Sequence, residues 1–179
     1  MAGISSTALT GITTRMAEGA MSAGSIIQVV QSTKTDTASF DYSTSAQDVG
    51  LSASITPSAT SSKILIQYLC NVGWTSSLSQ WVLHLIRGST EIGQGDSSTS
   101  RISARQGAPH YQPYNFLTHA LNDCYLDSPA TTSSVTYKLQ ITLAAGSGTG
   151  YINRSGLDGQ YTTYDQRLAS SMVLMEVAA

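Results

Sequence analysis

The sequence predicts an all-β protein, an antiparallel sandwich preceded by a short N-terminal arm. Three observations carry this. Short apolar alternations recur from Ser25 onward, bounded by clusters of Gly, Pro, Asn, Asp and Ser. Two of them, KILIQYLCNV and SSVTYKLQITL, alternate cleanly over ten or more residues. About nine such runs occur, and long polar stretches separate some of them.

In chain order, residues 1–24 stand apart as an arm. Ile4, Leu9, Ile12, Met16 and Met21 are scattered among Ser, Thr, Gly and Ala. A short helix over 13–21 is possible there, but it would bury little alone, so contact with another chain is expected to order it. Residues 25–179 form the one domain. Strands are expected at 25–31, 48–56, 63–72, 80–87, 89–95, 115–127, 133–143, 148–154 and 170–178. In KILIQYLCNV, Ile64, Ile66, Tyr68, Cys70 and Val72 share the core face, and Leu65, Gln67, Leu69 and Asn71 share a half-apolar one. In SSVTYKLQITL, Val135, Tyr137, Leu139, Ile141 and Leu143 point inward. The glycines of AAGSGTG read as a hairpin turn, and residues 96–113 read as a long functional or interface loop. About nine strands with irregular connections fit a jelly roll better than a meander.

IIQVV and MVLMEVAA are apolar on both faces. A strand of that kind needs cover beyond its own sandwich partner, and copies of the same chain can supply it. Ile26, Ile27, Val29, Met172, Val173, Leu174 and Met175 are therefore the expected interface of a homo-oligomer.

Composition narrows the function. Charged residues make up 11% of 179 residues and the net charge is -2, against a usual charged fraction of about 25%. Ser and Thr fill the difference, and nine Lys+Arg make no basic stripe, so no nucleic acid partner is expected. The N-terminus lacks the basic and apolar regions of a signal peptide, and no run reaches membrane-spanning length, so the reading is a soluble chain with no membrane partner. Cys70 and Cys124 lie in apolar runs and read as core residues, with a bridge between them left open.

No catalytic constellation emerges. His84, His110 and His119 have no metal-ligand spacing, no Ser sits in a nucleophile elbow, and Gly146, Gly148 and Gly150 lack the order of a dinucleotide loop. Asp123 and Asp127 share a strand face, which alone does not make a glycosidase pair. The chain is expected to be no enzyme and to hold no cofactor or metal. Asn153-Arg154-Ser155 matches a glycosylation sequon, read as chance. Loop aromatics are more informative, and His110, Tyr111, Tyr114, Tyr161 and Tyr164 are the candidates for external recognition.

The ordered series AGSIIQVVQSTKTDT, GLSASITPSATSSKILIQ, LHLIRGSTEIGQGD, LDSPATTSSVTY, YINRS and SSMVLMEVA resembles a domain that recurs in structural proteins of tailed bacteriophages, notably tail-fibre-like proteins of aquatic phages. GITTRMAEGAMSAGS looks like one unit of the short repeats of such fibre shafts. The resemblance covers about 24–179. It implies a homotrimeric, tumour-necrosis-factor-like jelly roll on the virion, with the arms near the threefold axis. A tail-fibre-like appendage attached to tail or capsid proteins by its arm, with its head meeting host polysaccharide or protein, is then expected. A capsid decoration trimer that cements the phage head is the alternative, suited to a single shaft-like unit.

Overall fold

The computed structural model describes residues 21–41, 43–75, 79–110, 115–146, 148–160 and 163–179, without the side chains of 79, 108–110 and 144–146. Eleven strands are present among them: β1 (Ile26–Lys34), β2 (Ala38–Asp41), β3 (Gln47–Ile55), β4 (Lys63–Trp74), β5 (Ser79–Arg87), β6 (Thr90–Ile92), β7 (Gln106–His110), β8 (Thr118–Asp127), β9 (Val135–Gly146), β10 (Thr149–Ile152) and β11 (Ser170–Val177). They form two antiparallel sheets, a β-sandwich. Sheet A holds β1, β11, β4, β10 and β2, with β8 on the other edge of β4, and sheet B holds β3, β9, β5 and β6, with β7 also on β5.

The pairing is nested. β1 pairs with β11, β2 with β10, β3 with β9, β4 with β8 and β5 with β7, as though one long hairpin with β6 near its tip had been rolled up. Each strand on the way out therefore meets its mate on the way back, and most contacts join residues distant in sequence.

The core lies between the sheets. Ile64, Ile66, Tyr68, Cys70, Val72 and Trp74 of β4 face Leu83 and Leu85 of β5 and Tyr137, Leu139, Ile141 and Leu143 of β9, all buried. These are the inward faces that the alternation predicts. Burying each large apolar side chain contributes roughly 1.5–3 kcal/mol. Thr142, expected to face solvent, is buried because it bonds His84 Nε2 at 3.0 Å on the outside of sheet B.

Three sequence expectations need correction. The glycine stretch after β9 makes no hairpin: β9 belongs to sheet B and β10 to sheet A, so the turn passes the chain between layers. Gly150 then allows close approach, since a Cβ there would sit 2.1 Å from the Trp74 ring and 2.2 Å from that of Phe40. Residues 96–113 are not one loop, because 106–110 form β7, an edge strand whose Pro109 needs no ladder donor. β2 was also invisible: its single buried side chain is Phe40, too little to make a pattern.

Candidate assembly surface

The outer face of sheet A is apolar. Paired residues of antiparallel strands point to the same side, and the registers align four rows across the sheet. Val29, Met175, Leu65 and Leu126 form one row over β1, β11, β4 and β8. Ile26, Val177 and Lys63 flank it on one side, and Gln31, Val173, Gln67 and Cys124 on the other, followed by Thr33, Ser171, Leu69 and Asn122. Lys63 is the sole charged side chain in these rows. Val29 is 58% exposed, Leu126 47%, Ile26 45% and Leu69 37%.

Strands about 4.8 Å apart and a rise near 3.3 Å per residue give these rows an area on the order of 500 Å², and nine of their fifteen residues are apolar. The apolar share is on the scale of the largest apolar patches of monomers, about 300–600 Å², which commonly mark interaction sites. Most large exposed hydrophobic side chains of the described residues lie here; Ile102 and Tyr164 lie elsewhere.

Glu176 fixes the edge of this surface. It lies on the opposite, inward face of β11, fully buried, where Ser58 through N and Oγ, Ser62 Oγ at 2.7 Å and Gln28 Nε2 donate to its carboxylate. Burial disfavours its charge, but these donors together outweigh that and hold its pKa below the ordinary value. The carboxylate thus ties β1 and the 56–62 connection to β11.

No protein-family model and no curated protein matches this chain. Among solved structures it is similar to that of infectious bursal disease virus Gx strain, with a TM-score of 0.39 at 16% identity over 85% of this chain and 37% of that one. The Gt strain structure gives 0.39 at 15% identity, over 88% and 39%, and the VP2 subviral particle of the same virus gives 0.38 at 16%, over 85% and 37%. The chain spans well under half the length of those chains, and likeness at this level carries nothing about function or assembly.

The expected interface residues divide. Ile26, Val29, Val173 and Met175 lie on the exposed face. Met172 and Leu174 do not: both are fully buried in the core of their own protomer, because they share the inward phase of β11 with Glu176. Ile27 is the extra residue of a bulge between Ile26 and Gln28 and is half-buried. Leu65, Leu69 and Leu126 join the surface unforeseen, and the half-apolar second face of KILIQYLCNV was the available signal.

Of the arm residues, Met21 is described and half-buried; Ile4, Leu9, Ile12 and Met16 lie outside the described residues. So do Tyr111, Tyr114 and Tyr161, and His110 is described in backbone only, at the end of β7. Tyr164 is exposed, its ring 5.2 Å from that of Phe116.

The groups weighed for chemistry are engaged structurally. Asp127 takes Arg87, and Asp123 pairs with Arg105 at 2.7 Å. The two carboxylates are four residues apart on one strand, roughly 13 Å along it, beyond glycosidase spacings of about 5–9.5 Å. His84 is buried between Glu91 at 2.7 Å and Thr142. His119 stands edge-on to Trp81, and burial lowers its pKa. No group of three potential metal ligands occurs among the described residues, and no helix there is long and apolar enough to cross a membrane. Cys70 and Cys124 are unbridged and point to opposite faces of sheet A, one buried and one exposed. Asn153 is fully buried, its amide donating to the carbonyls of Lys34 and Asp36, which leaves no access for a glycan.

Proposed function

We propose that the chain is a non-enzymatic structural protein of a tailed-bacteriophage virion, a homotrimeric jelly roll whose arm, residues 1–24, attaches it to the particle and whose head meets the host surface as a tail-fibre-like appendage. The exposed apolar face of sheet A carries this reading. A protein surface coated with Ser and Thr and poor in charge gains little from leaving Val29, Met175, Leu65 and Leu126 in water, and burial between protomers is the favourable alternative. The nested strand order, β1-β11-β4-β8 against β3-β9-β5-β7, is that expected of a jelly roll. The sequence resemblance supplies the phage virion and the trimer. Burial between apolar faces also withstands salt better than exposed ion pairs do.

Native mass spectrometry of the full chain tests the assembly, with a trimer expected and a monomer at micromolar concentration overturning it. Quantitative mass spectrometry of purified particles tests the location. A few trimers per particle support a fibre, a number comparable with the major capsid protein supports decoration of the head, and absence from particles overturns both.

A further inference from the structure

A second feature occupies the outer face of sheet A, beyond the Thr33–Ser171 row, and it is polar. Tyr151 of β10 lies opposite Ser39 of β2 and Gly73 of β4. Its neighbour Gly150 packs on the inner rings of Trp74 and Phe40, which sets Tyr151 and Thr149 facing outward. After β10 the chain turns at Asn153, whose φ of 62° is a left-handed conformation that Asn tolerates. Its buried side chain is anchored on three sides, by Lys34 O at 2.8 Å, Asp36 O at 3.0 Å and Ser170 Oγ at 2.6 Å.

Residues 154–156 then lie directly on the sheet. A Cβ on Gly73 would come within 2.2 Å of Arg154 O, and one on Gly156 within 2.0 Å of Trp74 O. Ser155, fully buried, donates to Leu157 O at 3.0 Å. This rigid seat stacks the Arg154 guanidinium 3.5 Å above the Tyr151 ring centroid. Asp158 accepts from Arg167 at 2.6 Å and lies 3.6 Å from Arg154. The result is an open cleft of about 460 Å³ lined by Thr37, Ser39, Thr149, Tyr151, Arg154 and Asp158.

Its chemistry selects a ligand class. Arg154 and Arg167 are balanced by Asp158 and by Asp41, which holds the Thr149 hydroxyl at 3.1 Å, so the cleft has no net charge to attract an anion or a cation. Hydroxyls, a guanidinium and a carboxylate converge, offering donors and acceptors together, while apolar lining is scarce. A hydroxyl-rich neutral molecule satisfies this set: its hydroxyls can pair with Arg154, Asp158, Ser39 and Thr149 together, while the Tyr151 ring, its face covered by the guanidinium, serves to hold Arg154 in place. The volume falls in the range of about 300–1,000 Å³ usual for small-ligand sites. We infer that this cleft binds a neutral saccharide. The inference deepens the host-attachment part of the proposed function and rests on it for the source of the sugar.

Saturation-transfer NMR on the full chain tests it, with the methyl pyranosides of glucose, galactose, mannose and rhamnose as probes and glucuronate as the charged comparator. Transfer to the ring protons of at least one neutral probe is expected, exceeding that to glucuronate. Asp158→Asn should weaken binding by about tenfold or more, the loss of one hydrogen bond to a charged group, and Tyr151→Ser, which removes the ring that seats Arg154, should weaken it as well, with circular dichroism showing both variants folded. Ser39→Ala provides a milder variant at an exposed edge position. No transfer from any neutral probe, stronger transfer to glucuronate, or undiminished binding in both Asp158→Asn and Tyr151→Ser overturns the inference. Saccharide binding by a chain absent from phage particles would keep the site and discard host attachment; a virion chain that binds none would discard the site alone.

Discussion

The Tyr137 hydroxyl donates to Asp127 at 2.7 Å, and the bond joins the two sheets, because Tyr137 belongs to β9 of sheet B and Asp127 to β8 of sheet A. Arg87 of β5 approaches the same carboxylate at 2.9 Å from its Nη1. Asp127 is buried, so its charge is compensated by these two partners. Burial, followed by the bond to Asp127, pushes the Tyr137 pKa far up and keeps the phenol a donor.

Tyr137→Phe should therefore destabilise the fold by about 1.5–3 kcal/mol, the usual worth of a hydrogen bond to a charged group. Asp127→Ala should cost more, about 3–5 kcal/mol, since it strands a partly buried guanidinium. Urea unfolding of both variants checks the order, and equal losses would contradict it.

Glu176 makes stability depend on pH in one direction. Its folded pKa lies below the ordinary value of 4.5, so the native state favours the carboxylate. The stabilisation is fully present above the unfolded pKa and is lost as pH falls through the folded one. Glu176→Gln should be less stable than wild type at neutral pH, and the gap should close in acid below 4.5. Thermal melts across that range measure it.

Val29→Asp and Met175→Asp should dissolve the proposed oligomer while leaving each monomer folded, because both side chains lie on the outer face of sheet A, Val29 exposed and Met175 half-buried. Leu174→Asp, one residue away on the core face, should unfold the protein. Sedimentation velocity with circular dichroism separates the two outcomes.

Thiol labelling should modify one cysteine of the native chain. Cys124 is exposed, whereas Cys70 is buried and its thiol is pushed up to about 12 by that burial. Titration with a chromogenic disulfide before and after denaturation counts them, and rapid native labelling of both would contradict the core packing. Protection of Cys124 at high protein concentration would place it within the assembled interface.

The nine strands with apolar alternation were legible because every second residue there packs between sheets, and β4 and β9 show it best. β2 and β7 were not legible: in ASFD the only in-phase partner of Phe40 is the small Ala38, and QGAPH has no alternation of large apolar residues. The phase of β11 stayed open for a physical reason. MVLMEVAA reads as apolar on both faces, so the pattern did not say which face is core. The fold buries the face that carries Glu176, because Ser58, Ser62 and Gln28 come from distant segments to satisfy that carboxylate. Leu65 and Leu126 gain meaning only as neighbours of Val29 and Met175, and that adjacency depends on register across four strands. The polar cleft was hidden in the same way, since Arg154 and Tyr151 are three residues apart and become a stack only where Gly73 admits the chain above the sheet.

The rolled-hairpin order also sets a clock for synthesis. β1 is made early, but its mate β11 spans residues 170–177, so residues 26–34 cannot complete their ladder until those residues have left the ribosome. The apolar rows need β1, β4, β8 and β11 side by side and are absent from any shorter nascent chain. A product cut short of residue 170 would leave β1 and one edge of β4 without their shared neighbour β11 and would lack the proposed assembly surface.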